Sequence, residues 1–173
     1  MWQGHLNQRN IGINLMPQIP PLSFEFFPPR TEEGSQNLLQ TAEKLNKFDP
    51  EFFSVTFGAG GSTKEKTIET VMDIMGTGAT AVPHVSCISS TKEEIKGLLK
   101  DYQSKDIKRI VALRGDNPSG VVSYGDFKYA NELVEFIRKE TGDFFQIEVA
   151  AYPEFHPESL SVKNDIDSLQ RKI

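Results

Sequence analysis

Glu25 lies in the run Phe24-Glu25-Phe26-Phe27-Pro28-Pro29-Arg30. A carboxylate set among three phenylalanines would lose solvation, which favours its protonated form and suits a general acid. The competing reading is an ion pair with Arg30. A second run, Ser54-Val55-Thr56-Phe57-Gly58-Ala59-Gly60-Gly61-Ser62, ends in glycines that let a backbone approach a ligand closely. The helix start that follows offers N–H donors to an anion. Thr63 stands where a G-x-G-x-x-G motif needs its last glycine, so the glycines taken alone favour a turn without ligand. His84 follows Pro83 in an apolar stretch, where a single histidine is more often a satisfied core or rim group than a catalyst. No other His or Cys stands around it at ligand spacing, so no metal site is expected. Arg114-Gly115-Asp116 offers a charged pair beside a glycine, able to grip a polar cofactor edge or a phosphate, or simply to close a salt bridge. Tyr152-Pro153-Glu154-Phe155-His156-Pro157-Glu158 gathers rings and acids, although His156 and Glu158 could instead cap a helix.

These groups share a position within a larger pattern. From Leu22 onward a short apolar run, a loop and a helical segment recur five times. The runs begin near Leu22, Phe52, Ala79, Arg109 and Gln146, spaced by 30, 27, 30 and 37 residues, close to the length of a βα unit. Helical stripes at i, i+3, i+4 and i+7 fall on Ile68, Val71, Met72 and Met75, then Ile95, Leu98, Leu99 and Tyr102, then Ala130, Leu133, Val134 and Ile137. Leu38, Ala42 and Leu45 form a weaker stripe, and Val162, Ile166, Leu169 and Ile173 another. The methionines read as core filling. Ser62 with Glu65, and Thr91 with Glu94, have capping-box spacing. Each chemical group above closes an apolar run, at the strand end where parallel α/β folds place ligands.

Composition excludes other classes. The chain has 173 residues, 38% hydrophobic and 25% charged, in the range of a soluble globular domain. A net charge of -5 and scattered cations argue against a nucleic-acid partner. No stretch approaches the length of a membrane span. The single cysteine, Cys87, precludes an intrachain disulfide and suits the cytoplasm. Residues 1–20 read as a flexible N-terminal arm with no signal-peptide core, broken by Pro17, Pro20 and Pro21, and residues 21–173 as one domain.

Alternating strands and helices imply a parallel sheet with right-handed crossovers, an α/β fold. The length suits a flavodoxin-like doubly wound sheet; a (β/α)8 barrel takes about 250 residues. Strand parity points towards the barrel. One face carries Ser23 and Glu25, Ser54 and Thr56, His84 and Ser86, Ala112 and Arg114, Ala150 and Tyr152. The other carries Phe24 and Phe26, Phe53 and Val55, Val111 and Leu113. Small or polar residues on one face suit a lumen with chemistry at its mouth.

Five segments together decide between the two. Ser23 to Arg30 (SFEFFPPR), Ser54 to Ala59 (SVTFGA), Pro83 to Cys87 (PHVSC), Ile110 to Asp116 (IVALRGD) and Ala150 to Glu158 (AAYPEFHPE) resemble, in this order, the methylenetetrahydrofolate reductase family of the short bacterial type. The resemblance runs from Leu22 to the C-terminus. It implies a (β/α)8 TIM-type barrel, here truncated after about five βα units, binding FAD at its C-terminal mouth. It further implies that NADH or NADPH reduces the flavin and that 5,10-methylenetetrahydrofolate then takes the hydride, giving 5-methyltetrahydrofolate for methionine synthesis. By position, Glu25 matches the family's general acid and Asp116 the acid near flavin and pterin. Thr56, Phe57 and Ala59 match flavin and nicotinamide contacts. His84, Arg114, Gly115, Tyr129, Ala130, Tyr152, His156, Ser159, Asp165, Ser168, Arg171 and Lys172 match FAD contacts. Phe57 stands where a tyrosine is common, which keeps the ring and drops the hydroxyl. The family is homo-oligomeric. The chain stops at Ile173, so the expectation is a truncated or split form, weakly stable and with little turnover unless a complementing chain joins it.

Overall fold

The computed structural model describes residues 21–57, 64–116, 125–152, 154 and 159–173. Five strands alternate with five helices: β1 (Ser23–Phe26), α1 (Glu32–Asn46), β2 (Phe52–Val55), α2 (Lys64–Gly76), β3 (Ala81–Ser86), α3 (Lys92–Ser104), β4 (Arg109–Leu113), α4 (Ala130–Thr141), β5 (Gln146–Val149) and α5 (Val162–Gln170). The strands are parallel and lie in the order β1-β2-β3-β4-β5. A doubly wound sheet reverses its order at a switch point, whereas barrel winding adds each strand beside the last. The sequential order is therefore barrel-type, and the flavodoxin-like alternative is excluded.

Local chemistry explains where the helices start. Thr31 accepts from the Gly34 N–H at 3.0 Å and opens α1. The expected capping box of α3 is formed: Glu94 N–H donates to Thr91 Oγ1, and Thr91 N–H donates to the Glu94 carboxylate at 2.8 Å. The Ser62–Glu65 box expected at α2 begins outside the described residues, as does the arm at 1–20.

The core lies between the sheet and its helices. Phe53 and Val55, Val85, Ile110 and Ala112 meet Leu38 and Ala42 of α1, Val71 and Ile74 of α2, Ile95, Leu99 and Tyr102 of α3, and Leu133 and Ile137 of α4. Phe24 and Phe26 stack on either side of Phe53, with ring centroids 5.9 and 5.6 Å away. Three expectations need correction. In α2 the buried face runs through Thr67, Thr70, Val71 and Ile74, leaving Met72 exposed. The cause is a rotation of that helix: the Thr67 hydroxyl donates to the Thr56 carbonyl at 2.9 Å, which turns a polar residue inward. In β4 the faces are reversed. Register pairs Val85 with Ala112 and His84 with Val111, so Ile110 and Ala112 face the helices while Val111 and Leu113 join the His84 face. Size misled there, because small Ala112 suits close packing of α4 against β4. In α5 the expected stripe is present but uncovered, with Val162 54% and Ile166 51% exposed and no residue buried.

Candidate active site

Register places Glu25 beside Ser54, and Ser54 beside Val82, so Glu25, Ser54, Val82 and His84 project from one face of β1, β2 and β3. That face buries its own centre, since Val82, Ser54 and His84 are all largely shielded from solvent. Glu25 Oε2 lies 3.3 Å from His84 Nε2, with the carboxylate side chain 52% exposed and the imidazole 8%. Two strand residues separated by 59 positions and assigned unrelated roles from sequence thus form one pair. Burial lowers the pKa of His84, and the nearby Glu25 charge opposes that shift. The carboxylate is not enclosed by phenylalanines as expected: Phe24 and Phe26 turn to the opposite face, and Phe27 is exposed. Nor is its partner Arg30, which lines a small surface cleft of about 150 Å³ with Thr31, Glu32, Lys66 and Glu69.

The strand ends extend the site. Thr56 follows β2, and its buried hydroxyl finds no hydrogen-bond partner among the described residues. A buried hydroxyl without a partner is costly unless a ligand completes it. Phe57 is half-buried beside it. Beyond β4 the Arg114 carbonyl accepts from Ser86 Oγ at 3.0 Å and from Ile88 N–H at 2.8 Å. Gly115 has φ +85°, and a Cβ there would press into Ser86 Oγ and Ile88 Cγ2. Only glycine fits that turn. Asp116 follows, exposed to solvent.

The remaining candidates are more dispersed. Tyr129 is exposed and Ala130 half-buried at the start of α4, where Glu132 accepts from the Lys128 and Tyr129 N–H groups at 2.7 and 3.4 Å. Tyr152 is half exposed after β5. Ser159 donates to the Ser161 carbonyl, Ser168 to the Asn164 carbonyl, and Arg171 to the Asp167 carbonyl and Ser168 Oγ. Lys172 donates to the Ala150 carbonyl at 2.8 Å, tying the end of α5 to the exit of β5. Burial lowers its pKa and Asp165 opposes the shift. Ala59 and His156 lie outside the described residues. Cys87 carries no nucleophilic chemistry at neutral pH, because burial pushes its thiol up to about 11. A cleft of about 400 Å³ between Lys92, Phe127 and Phe136 reaches the start of α4 through Lys128 and Glu132, and neither Glu25 nor His84 lines it.

Sequence reasoning missed Leu113, on the His84 face, and Arg109 at the opposite end of the strands. Arg109 binds Glu51 at 2.9 Å and Glu148 at 2.7 Å and stacks on the Phe52 ring at 4.3 Å. The spacing of opposite charges at strand starts was the available signal for Arg109; the face of Leu113 follows only from its register with Ser86.

Comparison with known proteins identifies the family. The profile of the methylenetetrahydrofolate reductases fits residues 15–173. The chain belongs to that family. It is 41% identical to 5,10-methylenetetrahydrofolate reductase of Salmonella typhimurium over 173 residues, covering 98% of this chain and 57% of that one. It is 44% identical to the Escherichia coli enzyme over 153 residues, covering 88% of this chain and 50% of the other. A maize protein named methylenetetrahydrofolate reductase (NADH) 1 is 36% identical over 165 residues, which cover 28% of its length. The chain spans about half the length of the bacterial relatives. Family membership agrees with the barrel-type strand order and with the five segments that carry the resemblance.

Proposed function

We propose that this chain forms the flavin- and folate-handling part of a methylenetetrahydrofolate reductase, converting 5,10-methylenetetrahydrofolate to 5-methyltetrahydrofolate and so feeding methionine synthesis. The observation that carries the reading is the Glu25–His84 pair at the strand ends, in a chain of this family. FAD, reduced by NADH or NADPH, supplies the hydride chemistry when bound. One observation suits that cofactor: the buried Thr56 hydroxyl has no hydrogen-bond partner among the described residues. In this reading Thr56, Phe57, Ala59, His84, Arg114, Gly115, Tyr129, Ala130, Tyr152, His156, Ser159, Asp165, Ser168, Arg171 and Lys172 hold the flavin. Asp116 sits against flavin and pterin. Glu25 is the general acid, its half-exposed carboxyl able to meet a substrate nitrogen from the open side.

Residues 21–173 are the domain that does this work, behind an arm at 1–20. A cytoplasmic setting fits a folate substrate, and no helix among the described residues is long and apolar enough to cross a membrane. Homo-oligomers or a complementing chain are the proposed partners. The exposed stripe of α5 favours a second reading, in which the chain alone binds flavin or a complementing chain without turnover.

The test is the visible spectrum of the purified chain after incubation with FAD and desalting. A retained, perturbed flavin band that bleaches under anaerobic NADH supports the reductase. A retained band that does not bleach supports the second reading, and a colourless protein counts against both flavin roles.

A further inference from the structure

The two partners of the Glu25–His84 contact live in different surroundings. Glu25 reaches solvent, while His84 lies beneath it with 8% of its side chain exposed. Around the pair, β2 contributes Ser54 and Thr56, β3 contributes Ser86, and β4 contributes Val111 and Leu113. The charges on the same face from β4 and β5, Arg109 and Glu148, are bound to each other at 2.7 Å. Glu25 is therefore the carboxylate that meets His84. An imidazolium at this distance would hold Glu25 ionised and useless as a proton donor. A buried imidazole resists that charge.

We propose that His84 is a positioning residue for Glu25: a neutral imidazole whose Nε2–H donates to the carboxylate left when Glu25 gives up its proton. This rests on the reductase reading above. In the step, the Glu25 O–H bond breaks, an N–H bond forms on a basic nitrogen of the folate, and the electron pair stays on Glu25. Nε2–H meets the new charge on Oε2, and no proton passes to His84. The hydrogen bond aims the carboxyl before transfer and stabilises it afterwards, when the interaction becomes charge-assisted.

The chain has three histidines, so nitrogen-15 imidazole spectra resolve single rings, and His84→Gln identifies the His84 signals by removing them. At pH 7 His84 is expected to be neutral with its proton on Nε2. Glu25→Gln should move its titration down by about half a unit or more, since the carboxylate favours the imidazolium. The substitution keeps the shape of a half-exposed side chain and leaves the fold intact. A charged His84 at pH 7, a proton on Nδ1, or a titration indifferent to Glu25→Gln overturns the proposal. In the flavin-loaded protein, reoxidation of the reduced flavin by methylenetetrahydrofolate should fall about tenfold or more in His84→Phe and recover in His84→Gln, whose amide restores an N–H donor. Equal losses in the two variants would also overturn it. A chain that retains no FAD defeats the reductase reading instead, while the imidazole titration still decides whether the pair exists.

Discussion

Helices α3 and α5 carry the same kind of apolar stripe and the same kind of N-terminal cap, yet they end in opposite environments. In α3, Ile95, Leu98, Leu99 and Tyr102 are buried within the hydrophobic core. In α5, Ser161 caps the start by accepting from the Asn164 N–H at 3.1 Å, but Val162 and Ile166 face solvent. The difference shows what an amphipathic pattern specifies. It names the face that needs cover, and a neighbouring element must then provide it.

The sharpest way to break this comparison is to truncate both stripes. Leu99→Ala is expected to cost about 3 kcal/mol, within the usual range for a buried leucine. Ile166→Ala should cost less than about 0.5 kcal/mol, as expected for exposed positions. Urea denaturation of both variants checks the contrast, and equal losses would mean that α5 is as well packed as α3.

A smaller effect tests how the fifth unit is tied to the centre. Arg109 is 14% exposed and links Glu51 before β2 to Glu148 on β5. Arg109→Met keeps the length of the stem but leaves two half-shielded carboxylates without their cation. The expected loss is about 1–2 kcal/mol, discounted for the exposure of both acids. Hydrogen exchange should show it first in β5, and a loss spread evenly over all strands would remove Arg109 as a local tie.

The caps give a finer contrast. Thr91→Ala removes the side-chain half of a formed capping box, leaving the Thr91 N–H to Glu94 bond, and should destabilise the protein by about 1 kcal/mol. Ser161→Ala should leave global stability nearly unchanged and only speed amide exchange in α5. Equal melting shifts would contradict this.

The smallest effect belongs to pH. Burial holds His84 below its ordinary value of 6.5, so the unfolded chain binds its proton at a higher pH than the folded one. Its contribution is therefore fully retained above pH 6.5 and is lost as pH falls towards the lowered value. The fall in stability between pH 7 and pH 5 should be shallower in His84→Gln than in the unaltered chain. Identical slopes by urea titration would mean that His84 titrates normally in the fold.

Much of this architecture is legible in the residues alone. Strand starts at Phe52, Arg109 and Gln146 are where the apolar runs begin, and the stripes of α3 and α4 are buried as their spacing implies. Thr91 and Glu94 form the box that their separation suggests. These features are local, set by backbone hydrogen bonding and side-chain periodicity within a dozen residues. Strand-end motifs likewise placed Glu25, Thr56, His84 and Gly115 at or near the carboxyl ends of their strands, because parallel winding brings all those ends to one edge.

What sequence could not supply was pairing between distant units. Ala112 looked like a lumen residue by size, but register with Val85 set its face. Met72 looked like core until the Thr67–Thr56 hydrogen bond turned α2. For Glu25 the residues left open a general acid or an ion pair with Arg30, and His84 appeared to be a separate contact. Their approach to 3.3 Å depends on the stagger of three strands, a quantity that no single strand encodes. The sequence by itself determined the alternating elements and the Thr91–Glu94 cap, since these follow from local sterics and hydrogen bonding. Only the tertiary structure decided which faces meet and which acid sits against which base, because burial and register are properties of neighbours rather than of the residue.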